Sequence, residues 1–154
     1  MTSQATDGGR ELPDSPGVHR YPIEVAAGVV FRQGQVLITQ RRPGGHLGGL
    51  WEFPGGKRES GETFEECLQR ELREELGIEV DVGQSLGSVT HAYPEKTIHV
   101  RFYRCVWRQH EPRVLGCQAL AWVTASQLAQ FAFPPADETL LGRLRASAAL
   151  WEDE

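Results

Sequence analysis

Glu71, Glu74 and Glu75 stand three and four positions apart in "ELREEL", so on a helix their carboxylates share one face. Like charges at that spacing repel by roughly 0.2–0.5 kcal/mol per pair, and a cation held among them relieves the repulsion. Just upstream, Gly55 and Gly56 follow Pro54 in a turn whose backbone carbonyl can join the carboxylates. Oxygen donors of this kind suit Mg²⁺ or Mn²⁺ rather than zinc. The alternative is a solvated acidic face that binds nothing.

Chemistry of this sort needs a helix in register with a turn, and the surrounding pattern supplies both. Thr63 with Glu66 forms a capping box, Gly77 is a helix stop, and Phe64, Cys67, Leu68, Leu72 and Leu76 recur at helical spacing toward a core. Before the helix, "IEVAAGVVF" and "VLITQRR" read as strands joined at Gly34, and the glycine-rich stretch 43–50 reads as loop. After it, "EVDVGQSLGSVTHAYP" and "KTIHVRFYRCVWRQ" read as antiparallel strands. In the second, Ile98, Val100, Phe102 and Val106 alternate with His99, Arg101 and Tyr103, which predicts one buried face. "ALAWVT" is a last strand and "ASQLAQF" a short helix. A terminal helix over "ADETLLGRLRASAALW" carries Leu140, Leu141, Leu144 and Ala148 as its apolar stripe. The expected class is α/β (α+β), a mixed sheet covered by helices, with a loosely held tail over 1–20 and a single domain over 21–152.

Bulk composition narrows the function. The chain has 154 residues and a formal charge of −5, which argues against a surface for duplex nucleic acid, since such affinity comes mainly from Lys and Arg neutralising phosphates. Phosphate binding would then mean a small ligand with a bridging cation. Cys67, Cys105 and Cys117 form no CxxC pair and read as buried fillers. No stretch has the length or apolarity of a membrane span or a secretory h-region, so the cytoplasm is the expected location and no membrane partner is expected. Monomer and homodimer both remain open.

The residues from Gly56 to Ile78 resemble the signature of the Nudix hydrolases: Gly, five residues, Glu, seven residues, then Arg-Glu-hydrophobic-X-Glu-Glu-X-Gly-hydrophobic. Gly56, Glu62, Arg70, Glu71, Leu72, Glu74, Glu75, Gly77 and Ile78 fill every specified place. The resemblance implies a mixed sheet between helices, with a loop–helix–loop that holds divalent metal for hydrolysis of a nucleoside diphosphate linked to another group. It further implies Mg²⁺ (or Mn²⁺) on Glu71, Glu74, Glu75 and the Gly56 carbonyl, with Glu71 or Glu74 orienting or deprotonating the attacking water. Arg70 is expected to anchor the helix on a carboxylate such as Glu74, and Glu62 to hold the loop. Arg42 and Lys57 are candidate phosphate contacts.

Within the family, "ITQRR", "LWEFPGGK" and "FPPADETLL" resemble the MutT-type pyrophosphohydrolases that remove oxidised nucleotides such as 8-oxo-dGTP. That likeness makes Asp137 the candidate reader of the base edge, its alternative role being N-cap of the last helix. Phe53 is either core or a base-stacking ring, with Phe133 beside it. The "PAD" ending also resembles CTP and 5-hydroxy-dCTP pyrophosphohydrolases, and Pro94 is weakly reminiscent of ADP-ribose-type enzymes. A non-catalytic Nudix binding module is the remaining class. One departure stands out: Gly116 takes the place where MutT-like chains commonly carry a loop acid, and Glu111 is the nearest substitute along the sequence.

Overall fold

A computed structural model describes residues 21–152; the tail expected over 1–20 lies outside them. The centre is β1 (Ile23–Arg32), which runs parallel to β6 (Thr97–Gln109), from Ile23 opposite Ile98 to Phe31 opposite Val106. β6 pairs antiparallel with the long β5 (Glu79–Ala92). On its other edge β1 meets two partners. The hairpin through Gly34 brings β2 (Gln35–Gln40) to its end, and the short β4 (Gly55–Lys57) pairs with Val25, Ala26 and Ala27. β2 in turn carries β3 (Trp51–Glu52) and β7 (Ala119–Val123).

A strand with both faces covered should be apolar almost throughout, and β1 is buried from Ala26 to Phe31. Ala26 and Val30 pack under α1 (Phe64–Leu76), together with Leu68, Leu72 and Leu76. Ala27, Val29 and Phe31 pack on the other face against Leu140, Leu141 and Leu144 of α2 (Glu138–Ala146). α1 follows its expectation closely: Thr63 and Glu66 form the capping box, Gly77 closes the helix at φ 71°, and its expected apolar residues are all buried.

Two expectations need correction. β6 does not bury a single face, because Tyr103 and Cys105 lie under α1 while Phe102 faces the α2 side, so the alternation holds only in its first half. α2 stops at Ala146: Ser147 is extended, Ala148 is exposed, and a 3₁₀ turn over Ala148–Trp151 follows. That break lets Trp151 donate to the otherwise unpaired Leu144 carbonyl at 2.8 Å and set its ring edge-on to Phe31, while Leu150 takes the buried place assigned to Ala148. The short helix expected over "ASQLAQF" is present as a 3₁₀ helix, Ala125–Gln130. All three cysteines are buried thiols, as expected.

Candidate active site

Pairing with β1 fixes β4 beside the helix face of α1, and this is where backbone and carboxylates meet. A Cβ on Gly56 would lie 2.2 Å from the Glu71 carboxyl carbon, so only glycine permits this approach. The Gly56 carbonyl accepts a weak bond from the Cys67 thiol at 3.5 Å. Arg70 holds the assembly together. It binds Glu62 through both Nε (2.8 Å) and Nη2 (2.9 Å), Glu71 at 3.0 Å, Glu74 at 3.2 Å and the Lys57 carbonyl at 3.0 Å. Hydrogen bonds from Arg70 and from the Glu59 backbone depress the Glu62 carboxyl to about 2, so Glu62 stays ionised and pins the loop to the helix.

The carboxylates differ in setting. Glu71 is 14% exposed and Glu74 58%. Burial pushes the Glu71 acid up; Arg70 opposes this, and Glu75 and Glu74 add to it. Glu75 is also pushed up by burial, with Arg42 opposing and Glu74 adding. Glu71 and Glu75 line a cavity of about 540 Å³ together with Gly56, Lys57, Arg42, Phe53 and Asp137, a volume suited to a small ligand. Glu74 lies outside this lining, held outward by Arg70. Among the described residues no three side chains are already drawn together around a metal position. The donor set nevertheless fits a hard divalent cation, since it is made of carboxylate oxygens close to one another whose acids burial and mutual repulsion push up against the pull of Arg70 and Arg42.

Gly116 is brought to the same place. The segment after β6 caps α1: Arg113 N–H donates to the Leu76 carbonyl, and Leu115 and Gly116 N–H donate to that of Glu75. A Cβ on Gly116 would fall 1.9 Å from Glu75 Oε1. The loop therefore reaches the carboxylates but presents no acid there. Glu111 does not substitute for one, because it is exposed and ion-paired with Arg32 at 2.9 Å, outside the cavity lining. Arg42 donates to the Leu115 carbonyl at 3.2 Å, which holds its charge near Glu75.

Elsewhere in the cavity the residues come from separated segments. Phe53 is buried, stacked on Phe133 at 5.4 Å and edge-on to Phe102 at 6.4 Å. Asp137 is only 6% exposed; it occupies the N-cap position of α2, but its side chain makes no cap hydrogen bond. Burial raises its acid to about 7, with Glu52 and Glu138 adding. Glu52 also lines the cavity; burial raises it, its 3.0 Å ion pair with Arg41 opposes, and Glu75 adds. Glu52 is thus felt at both the Asp137 and Glu75 ends. Sequence reasoning missed Glu52, Arg41, His46 and Lys96. A signal was available at Glu52, a charge set between Trp51 and Phe53.

A cavity lined by carboxylates, Arg42, Lys57 and aromatic rings has the groups that metal-assisted hydrolysis of a phosphoric anhydride calls for. Comparison with known proteins agrees. A NUDIX-domain profile matches residues 26–143. The chain is 38% identical over 133 residues to a CTP pyrophosphohydrolase of Escherichia coli (strain K12), spanning 82% of this chain and 94% of that protein. It is 39% identical over 123 residues to an 8-oxo-dGTP diphosphatase of Haemophilus influenzae, spanning 79% and 90%. A structure from work on MutT of Aliivibrio salmonicida and Vibrio cholerae matches with a TM-score of 0.68 at 31% identity, over 81% of this chain and 97% of that one. The chain belongs to the Nudix family and is a Nudix pyrophosphohydrolase of MutT type. Nudix hydrolases generally use divalent metal ions. No helix among the described residues is long and apolar enough to cross a membrane.

Proposed function

We propose that this protein hydrolyses oxidised nucleoside triphosphates, 8-oxo-dGTP in particular, to the monophosphate and pyrophosphate, with Mg²⁺ or Mn²⁺ as cofactor. The observation that carries the reading is a buried Asp137, its side chain making no cap hydrogen bond, lining the same cavity as Glu71 and Glu75. A bound divalent ion supplies charge stabilisation to the pyrophosphate oxygens and acidifies water. Glu71, Glu74, Glu75 and the Gly56 carbonyl are the groups to hold it, and Glu71 or Glu74 is the group to orient the attacking water. Arg42 and Lys57 face the phosphates, and Phe53 packs against the base.

With its acid near 7, Asp137 exists in both protonation states at neutral pH. The protonated acid donates to a purine O6 while its second oxygen accepts from the N7–H that distinguishes 8-oxoguanine from guanine. The ionised form accepts from cytosine N4. This is the physical basis of the second reading, a CTP or 5-hydroxy-dCTP pyrophosphohydrolase, which the E. coli relative favours. A panel of nucleotides assayed for released pyrophosphate tests both. The first reading requires kcat/KM for 8-oxo-dGTP above that for dGTP, CTP and 5-hydroxy-dCTP; the reverse order for either pyrimidine establishes the second. Cytoplasmic action on the free nucleotide pool is part of the same proposal.

A further inference from the structure

Asp137 reaches the cavity from the start of α2, so its position depends on how α2 is seated on the sheet. That seat includes an irregularity of β5. The β5–β6 register shifts between Ser85 and Gly87: Ser85 lies opposite Tyr103 and Gly87 opposite Phe102, which leaves Leu86 without a partner in the ladder. Gly87 adopts φ 116°, backbone that L side chains rarely take, and its N–H donates to the Ser85 hydroxyl oxygen at 3.1 Å. Such an extra residue is a β-bulge, a device that re-aims part of a strand.

The re-aimed residue meets α2 twice. The Leu86 side chain is 4% exposed and belongs to the same core as Leu140, Leu141 and Leu144. Its carbonyl accepts from Arg143 Nη1 of α2 at 2.9 Å, and Arg143 makes no ion pair with a described residue. The apolar stripe keeps α2 on the sheet, but burial of apolar surface is non-directional. A hydrogen bond has a direction. The bond to the bulge therefore selects one lie of α2 among those that the stripe would accept, and Asp137 follows.

We propose that Arg143, bonded to the β5 bulge at Leu86, is a positioning residue for base selection, acting through the lie of α2 and hence of Asp137. The inference rests on the reading of Asp137 as the group that meets the base. Leu86, Gly87 and Arg143 all stand outside the cavity lining, so this determinant of specificity touches neither nucleotide nor metal ligands.

The test measures kcat and KM for 8-oxo-dGTP, dGTP and CTP in Arg143→Met, which keeps the apolar stem, in Arg143→Lys, which keeps a donor, and in Gly87→Ala. Arg143→Met and Gly87→Ala are each repeated with Asp137→Ala. Amide exchange at Asp137, whose N–H donates to the Pro134 carbonyl at 3.0 Å, is followed in the nucleotide-free proteins. Arg143→Met is expected to shrink the kcat/KM ratio between the best and second-best nucleotide by about threefold to tenfold, the scale of one hydrogen bond. Its kcat on the best nucleotide changes by less than about twofold. Arg143→Lys restores most of the ratio, because one carbonyl needs one donor. Gly87→Ala shrinks the ratio as well: a Cβ there meets nothing within 4 Å, so strain at φ 116° is what disturbs the bulge. With Asp137→Ala already present, neither change moves the ratio further. Asp137 exchange accelerates in Arg143→Met. An unchanged ratio, with or without a lower Tm, makes Arg143 a purely structural contact and overturns the proposal. A ratio that falls as far in the Asp137→Ala background, or one that Lys does not rescue, overturns it too. If Arg143→Met does not fold, Gly87→Ala with and without Asp137→Ala decides by the same criteria. A wild type inactive on every nucleotide defeats the functional reading instead; the exchange comparison then judges the seat of α2, and unchanged Asp137 exchange rejects it.

Discussion

The cavity's two ends are built by opposite means. At the carboxylate end, a single stretch of chain from Gly56 to Ile78 provides the turn, the cap, the anchor and the acids, and Arg70 binds most of them to one another. At the base end, Glu52, Phe53, Tyr93 and Asp137 arrive from β3, the segment after it, the β5–β6 turn and the start of α2. The first end is braced by bonds within that short stretch. The second has a buried acid, Asp137, beside the half-buried Glu52, and burial pushes both up. On the proposed reading, reaction type resides in a local cassette, while substrate choice resides in a tertiary assembly.

If that division holds, the largest effect belongs to the cassette. Glu71→Gln is nearly isosteric and leaves the core face of α1 intact, yet it removes a buried charge at the proposed metal position. A loss in kcat on the order of 10²–10⁴-fold is expected, the range of a positioned acid or base, with little change in thermal unfolding. Glu74→Gln should fall in the same range although Glu74 is 58% exposed and paired with Arg70. Wild-type turnover in Glu74→Gln alone would remove that residue from the site and leave Glu71 and Glu75 as the working pair.

The base end should reveal itself through pH. The Asp137 acid is raised from 3.8 to about 7 by burial, with Glu52 and Glu138 adding, so between those values the folded state holds a proton that the unfolded state has released. Stability from this group is greatest below about pH 4 and is lost as pH rises through 7. Asp137→Asn abolishes that loss. The difference in unfolding free energy between variant and wild type should grow in the variant's favour by a few kcal/mol, in order of magnitude, from pH 4 to pH 8. Urea titrations across that range measure it, and a difference independent of pH would mean that Asp137 is ionised throughout.

Asp137 also sharpens the comparison through specificity. Asp137→Ala should shrink the preference between 8-oxo-dGTP and dGTP by about 1–3 kcal/mol, the cost of leaving one buried partner unpaired. Turnover of the better substrate should change less than in Glu71→Gln. An unaltered substrate ratio would show that base reading lies elsewhere, with Glu52 the nearest candidate.

This division also explains what could be read from the sequence. Glu71, Glu75, the capping box and the buried stripe of α1 are set by spacing within a few turns of chain, and such spacing is visible without a structure. Glu52, His46 and Lys96 gain their meaning only when β3, the 43–50 loop and the β5–β6 turn converge, and no local pattern announces that. Tyr103 misled the reading of β6 because its hydroxyl suggests an outward residue, although α1 covers that face. Ala148 misled through periodicity, which cannot see that extending α2 would forgo the Trp151 and Leu150 contacts. Glu111 was near the expected acid along the chain but is committed to Arg32 in space.

The smallest effect concerns the point where the capping loop touches the cassette. Gly116 leaves no room for a side chain beside Glu75 in its present rotamer, but the colliding atoms are the far end of a flexible carboxylate, which can swing away at little cost. Gly116→Ala should therefore leave unfolding nearly unchanged while displacing Glu75. The Mg²⁺ or Mn²⁺ concentration for half-maximal activity should rise by roughly threefold to tenfold, about 0.7–1.4 kcal/mol in the weaker position of one ligand. Gly116→Glu causes the same displacement but adds a carboxylate on a loop that already reaches the site. Its activity at saturating metal should therefore equal or exceed that of Gly116→Ala. Metal titrations of both variants decide the matter: if Gly116→Glu is the poorer of the two, the new acid only adds to the repulsion already present among Glu71, Glu74 and Glu75, and the loop's role is confined to capping α1.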